Sequence, residues 1–383
     1  MKPKVSDDII NKEMVSERKL SMKVLVLSCS TGGGHNACAK YIMEELKDNH
    51  IDCIFKDFYD IVNPKAKELS SKLYLSTLKN NGNLFKGVYK IGETVSSFNM
   101  KSPVYLINKT HQKALLNFIK YEKIDLVISS HLFPSLTLTA INQKNKEIPF
   151  ITVATDYEPC PFIEETKSDY LIIQKGLENR FIEKNIPANT LISTGIPIST
   201  NFITSAKNIK KALNINENEK VILIMLGSMG FGNINKLLEK LQNKKYHIIV
   251  VCGTNEKLKA EIEKINYSNI TVLGFVSNIN DLIYSSDIVL SKPGGLSSTE
   301  IATLRKPLIH IYPIPGIETH NTNFFKAHNM SIVCQDDDEI ISTINKPLNN
   351  EDLRNEIISN QKKYINENSA KDLINLIKSK FQK

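Results

Sequence analysis

Short, almost continuously apolar runs recur along this chain, separated by segments whose apolar residues return every three or four positions. The first series comprises residues 23–28 (KVLVLS), 51–56, 124–129 (IDLVIS), 149–154 (PFITVA), 170–173 and 191–193. A strand that is apolar on both faces has to be covered on both. Strands of this kind alternating with helices therefore specify a doubly wound parallel sheet. A second series follows at 221–226 (VILIML), 247–252 (HIIVVC), 270–273, 287–291 (DIVLS), 307–312 and near 331–334, with helices expected from about 233, over 255–265 and over 296–306. Between the two, residues 197–219 are polar and carry Ser199, Thr200, Asn201 and the turn-forming Asn214 and Asn218, which marks a linker. The expected fold is α/β: two Rossmann-like units facing each other across a cleft, spanning 22–198 and 199–383. A flexible polar extension is expected over 1–21, and a helix-prone tail over 366–383.

Composition narrows the class. With 383 residues, 41% hydrophobic and 23% charged, the chain reads as a soluble globular protein with room for two cores. No apolar run approaches the ~20 residues needed to span a bilayer, and Met1-Lys2-Pro3-Lys4 leads into Asp7-Asp8 and not into an apolar signal core. Cys29, Cys38, Cys53, Cys160, Cys252 and Cys334 contain no CxxC pair, as expected of reduced thiols in a cytoplasmic protein. The net charge of +8 is local: between Pro64 and Thr110 eight lysines face only Glu68 and Glu93. Leu69, Leu73, Tyr74, Phe85, Tyr89, Phe98, Tyr105 and Leu106 are interleaved with them. Such a segment suits an anionic bilayer interface, and a solvated helix pair with one buried face is the plain alternative. Confinement of the lysines to one segment, with arginine scarce in it, argues against nucleic acid.

Two glycine clusters fall where a doubly wound sheet opens its crevice, at the carboxyl ends of strands. Strand 23–28 runs into Ser30-Thr31-Gly32-Gly33-Gly34-His35 and then a helix with Ala39, Ile42, Met43 and Leu46 on one face. Glycines here let a ligand approach the backbone, but the spacing is neither GxGxxG nor GxxxxGK[ST]. His35, at the helix start, has its cation disfavoured by the dipole and is suited to accept a proton; a cap or a local hydrogen bond would explain it equally well.

After strand 287–291 comes Ser291-Lys292-Pro293-Gly294-Gly295-Leu296-Ser297-Ser298-Thr299-Glu300. The serines are expected to cap a helix whose free N–H groups suit a diphosphate, and Glu300, one turn in, suits the adjacent hydroxyls of a ribose. A structural cap with a solvated glutamate is the alternative. Strand 307–312 ends in Pro313-Ile314-Pro315-Gly316-Ile317-Glu318-Thr319-His320-Asn321, read as a loop whose Glu318, His320 and Asn321 suit a sugar. Gly227 with Ser228, and Gly253, end further strands of the same unit, and Phe275 is placed to pack on a base or in a core.

These three segments, in this order, resemble glycosyltransferase family 28, specifically the diacylglycerol glycosyltransferases related to monogalactosyldiacylglycerol synthase. The likeness covers about residues 22–345 and rests on Gly33-Gly34-His35, on Lys292-Pro293-Gly294-Gly295 with Glu300, and on Pro315-Gly316-Ile317-Glu318-Thr319-His320-Asn321. It implies a GT-B fold, a UDP-sugar held by the C-terminal domain, a lipid acceptor bound by the N-terminal domain and inversion at the anomeric carbon. Where many members carry a histidine shortly after Thr155-Asp156, this chain has Glu158-Pro159-Cys160-Pro161-Phe162. His131 also resembles a crevice position of the family, on the acceptor side with Gly33 and Gly34.

Inverting transfer needs the acceptor hydroxyl deprotonated as it attacks, and His35 is expected to be the base, with Asp156 orienting it or acting as the alternative base. The leaving diphosphate is met by the helix start at Gly294-Gly295 and by Lys292, so no metal or other cofactor is expected. The expected setting is the inner face of the cell membrane, with the protein peripherally bound. A GT-B nucleotide-sugar epimerase acting on a soluble substrate, and a non-catalytic nucleotide-sugar sensor at the membrane, are the rival readings.

Overall fold

A computed structural model describes residues 22–30, 33–64, 101–143, 147–227, 234–242, 244–265 and 267–382. The expected extension at 1–21, positions 65–100 of the lysine-rich stretch and Ser228 lie outside the described residues.

Both expected sheets are present, and every strand pairing in them is parallel. The first contains β1 (Lys23–Ser28), β2 (Asp52–Asp57), β3 (Leu126–Ser129), β4 (Phe150–Val153), β5 (Tyr170–Ile172) and β6 (Leu191–Ile192), in the order β2-β1-β3-β4-β5-β6. The second contains β7 (Lys220–Met225), β8 (Tyr246–Val251), β9 (Ile270–Leu273), β10 (Ile288–Ser291), β11 (Leu308–His310) and β12 (Ile332–Val333), in the order β12-β11-β10-β7-β8-β9.

Coverage on both faces is visible residue by residue. In β1, Val24 and Val26 pack with Cys38, Ala39, Ile42 and Leu46 of the helix Gly33–Asp48. Their neighbours Leu25 and Leu27 point the other way, onto Phe58, Leu115, Ile119 and Phe150. In β7 the same alternation sends Ile222 and Ile224 to one core and Val221 and Leu223 to the other. This two-sided burial is what the unbroken apolar runs encode.

Strand order locates the crevices. In the first sheet it reverses between β1 and β3, and in the second between β7 and β10. Segments leaving the carboxyl ends of those four strands therefore line the ligand clefts. Gly33-Gly34-His35 follows β1, His131 follows β3, Gly227 follows β7 and Lys292 to Gly295 follow β10.

The tail helix Ser369–Lys380 crosses back to the first sheet's side and packs against Gly33–Asp48. Asn366 donates from Nδ2 to the Thr194 carbonyl at 2.9 Å, and Ile198 N–H donates to Ser369 Oγ at 3.1 Å. The linker is held from the same side: Ser199 Oγ donates to Glu44 at 2.7 Å, and the buried Glu45 carboxylate accepts from Thr200 N–H at 3.0 Å. Among the described residues, no helix is long and apolar enough to cross a membrane.

Candidate active site

His35 lies in the first turn of Gly33–Asp48, and its orientation is set from β3. Its Nδ1 is 2.8 Å from the Ser130 carbonyl oxygen. A carbonyl only accepts, so Nδ1 carries the proton and Nε2 is left as the basic nitrogen. Thr155 Oγ1 is 3.0 Å from the same Nδ1, and Ser130 Oγ donates back to the His35 carbonyl at 3.0 Å. Burial holds the imidazole below the usual histidine range, opposed by the Asp156 carboxylate and the Ser130 carbonyl. A neutral base at neutral pH results, with burial as its main cause.

His131 takes the complementary tautomer. As the N-cap of Leu132–Ile141 it accepts the Phe133 N–H at Nδ1 (3.1 Å), which leaves Nε2–H as its donor. Its ring stands edge-on to that of His35, with centroids 4.6 Å apart. Burial, reinforced by His35, keeps it neutral well below the ordinary histidine range. The structure thus gives His131 a capping role and places it beside His35.

From the second domain, Gly294 is the N-cap of Gly295–Thr303 and no side chain caps that end. This corrects the expectation that serines cap it: Ser297 lies inside the first turn, and Ser298 is buried, with its Oγ 3.0 Å from His310 Nε2. The first N–H groups of the helix consequently have no side-chain cap. Gly295 packs directly on the Thr155 carbonyl and on Asp156, where a β-carbon would overlap the oxygen. On the other side of the same junction, a β-carbon on Gly34 would lie 3.7 Å from Leu296 Cβ. The two glycine clusters thus flank one junction, which is also crossed by a hydrogen bond between Tyr41 and Glu300, 259 positions apart in sequence.

Glu300 is 6% exposed and accepts a hydrogen bond from the Tyr41 hydroxyl at 2.6 Å. Burial pushes its carboxyl up to about 7, with the Tyr41 bond opposing the shift. Glu318, His320 and Asn321 are not in a loop. They occupy the start of the helix Ile317–Ala327, whose N-cap Gly316 has φ of 111°. The helical period separates their environments. Asn321 is fully buried: its Oδ1 accepts Tyr157 N–H at 2.9 Å, and its Nδ2 donates to Asp156 Oδ1 and to the Pro293 carbonyl, each at 2.9 Å. It clasps the two domains together. Glu318 accepts the Ile314 N–H at 2.7 Å, and burial raises its carboxyl against the pull of Lys292. Lys292 is itself lowered by burial. His320 Nδ1 lies 3.9 Å from Glu158, which also binds Arg180 at 2.6 Å.

Gly227, with φ of 76°, and Gly253, with φ of 59°, adopt left-handed backbone conformations at the ends of β7 and β8. Phe275 follows β9 and is 66% exposed, so it is not a core residue. Sequence reasoning missed Tyr41, Ser130, Thr155, Tyr157 and Thr299. The last two share a buried hydroxyl contact of 2.6 Å across the domains. Ser130 and Thr155 carried one signal, their place just after strand ends, and the other three carried none.

Known proteins resemble this chain along both of its halves. Residues 35–198 match the family model of monogalactosyldiacylglycerol (MGDG) synthase, and residues 221–377 match the glycosyltransferase family 28 C-terminal domain. Among curated relatives, a processive diacylglycerol beta-glucosyltransferase of Bacillus cereus is 28% identical over 332 residues, 84% of each chain. Its namesake in Staphylococcus haemolyticus is 27% identical over 390 residues, 96% of each chain. Among solved structures, Acinetobacter baumannii MurG superposes with a TM-score of 0.59 at 16% identity, covering 94% of this chain and 99% of the other. The UDP complex of Staphylococcus aureus MnaA gives 0.62 at 13% identity, covering 93% and 96%. The fold is GT-B.

Proposed function

As a member of glycosyltransferase family 28 with an N-terminal half of the MGDG synthase type, this chain is a glycosyltransferase, and we propose that it transfers a hexose from a UDP-sugar to the hydroxyl of diacylglycerol or a related membrane lipid at the cytoplasmic membrane face. The observation that carries the reading is the junction of the two crevices. It sets a histidine with a basic Nε2 opposite a helix start that has no side-chain cap.

The chemistry follows from those groups. As the acceptor oxygen attacks the anomeric carbon, its proton passes to His35 Nε2 and the bond from that carbon to the diphosphate breaks on the opposite side. The Asp156 carboxylate stabilises the imidazolium that forms, which is the sense in which it acts on His35. Negative charge leaving with the nucleoside diphosphate is met by the N-terminus of Gly295–Thr303 and by Lys292. Glu300 takes the ribose, Phe275 offers an exposed ring to the base, and Glu318, the carboxylate in the first turn of Ile317–Ala327, is assigned to the sugar. The curated relatives, named as beta-glucosyltransferases, favour glucose as the sugar.

A lipid acceptor remains in its bilayer, so the enzyme has to come to it. On the helix Pro103–Lys109, Leu106 is 53% and Ile107 63% exposed, close to Lys101 and Lys109. Apolar side chains beside lysines favour an anionic surface, each nearby lysine adding about 1 kcal/mol. Incubation with diacylglycerol vesicles and a panel of UDP-sugars, followed by lipid analysis, tests the reading. A glycosylated diacylglycerol supports it; consumption of donor with only a free isomeric sugar as product overturns it in favour of epimerisation.

A further inference from the structure

Glu300 is the residue that the proposed function assigns to the donor ribose, yet here its carboxylate is already engaged by the opposite domain. Tyr41 donates its hydroxyl to Glu300 Oε1 at 2.6 Å, and the acid is buried to 6% exposure. The phenol is held in place from behind: its ring stacks edge-on against Phe202 of the linker helix Thr200–Thr204, with centroids 5.3 Å apart. A hydroxyl donated to a buried carboxylate is the same contact that a ribose hydroxyl would make.

The neighbouring donor element is covered in the same way. Gly295 at the start of its helix is pressed against the Thr155 carbonyl, with Asp156 Oδ1 beside it and fixed by Asn321. A carboxylate near a helix N-terminus satisfies the dipole as a phosphate would. Groups of the N-terminal domain therefore stand where the ribose and the diphosphate would make their contacts.

We propose that Tyr41 sets donor affinity by competing with the nucleoside diol for Glu300, so that the ribose hydroxyls reach the carboxylate only by displacing the phenol. This rests on Glu300 being the ribose carboxylate. The two ideas are separable. A ribose offers two hydroxyls against one phenol, so exchange favours the donor, but the bond to Tyr41 has to break first. Removing the phenol hydroxyl while keeping the ring destabilises the donor-free state and leaves the complex unchanged.

Calorimetric titration of UDP into the whole protein tests this, with Tyr41→Phe and Glu300→Gln alongside the wild type. Tyr41→Phe is expected to bind UDP roughly tenfold more tightly, the order of one charge-assisted hydrogen bond. The gain should vanish with the dideoxy analogue of UDP, which lacks both ribose hydroxyls. Unchanged or weaker UDP binding by Tyr41→Phe, or an equal gain with the dideoxy analogue, overturns the role of Tyr41. Glu300→Gln reports on the underlying assignment: if it binds UDP as wild type does, Glu300 is not the ribose carboxylate, whatever Tyr41 does.

Discussion

Gly295 rests against the carbonyl of Thr155 so closely that no side chain fits between them: a β-carbon would overlap the oxygen and stand 2.9 Å from Asp156 Cα. Both obstacles are backbone, or fixed to it, so they cannot swing aside. Gly295→Ala should therefore push the domains apart at the site while sparing each core. The expected loss of stability is about 1–3 kcal/mol, as for overpacking. Transfer activity should fall about 100-fold or more, because separation of reacting groups by an ångström has effects of that order. Small-angle scattering should show a larger radius of gyration. Wild-type transfer by Gly295→Ala would mean that this closed junction is not the working one.

The protonation state of His35 predicts a pH profile. Burial outweighs Asp156 and lowers its pKa from the ordinary histidine value, so the imidazole is uncharged at pH 7 and the base proposed for the transfer is lost only on the acid side. The acid limb of kcat/KM should accordingly fall below pH 6.5. Asp156→Asn removes a charge that favours the imidazolium, so the limb should move further to acid while turnover drops about 10- to 100-fold. An acid limb that moves upward in that variant would contradict the arrangement.

His131 combines a structural and a positional role, and the two separate by substitution. His131→Ala removes the cap of Leu132–Ile141 and should cost about 1 kcal/mol in denaturant unfolding. His131→Asn restores an N-capping acceptor but not the ring that packs edge-on to His35. Stability should return with asparagine and transfer should not. Recovery of both would reduce His131 to a cap.

Much of the fold was legible because its signal is local. The runs VLVL in β1 and VILI in β7 are apolar at every position, which only a sheet covered on both sides requires, and both are strands of that kind. The positions of His35, His131 and Lys292 to Gly295 at strand ends followed from the same pattern. The segment 316–321 was harder: Pro315-Gly316 reads as a turn, whereas the helical repeat that buries Asn321, Phe324 and Phe325 overrides it one residue later. The Ser297 and Ser298 cap failed for a similar reason, since the helix starts earlier, at glycine. Tyr41, Tyr157 and Thr299 left no legible trace because their partners lie across the domain junction, where docking and not spacing decides who meets whom.

The clasp at Asn321 yields the last prediction. Its amide accepts from Tyr157 N–H and donates to both Asp156 and the Pro293 carbonyl. Asn321→Ala leaves those groups without their partner and should cost about 1–3 kcal/mol. Asn321→Asp keeps the acceptor but replaces the donor with oxygen, facing a carbonyl and another carboxylate, so at pH 7.5 it should be the less stable of the two variants. The crowding raises the pKa of the new carboxyl in the folded state above its unfolded value. Its folded form is therefore relatively favoured below the unfolded pKa, and that advantage is lost as pH rises through the folded pKa. When protonated, the side chain regains a donor. Urea unfolding of wild type and both variants at pH 5 and pH 7.5 should thus show the aspartate variant recovering at pH 5 relative to the alanine variant. An unchanged order and gap at the two pH values would show that Asn321 acts by shape and not by its donated hydrogen bonds.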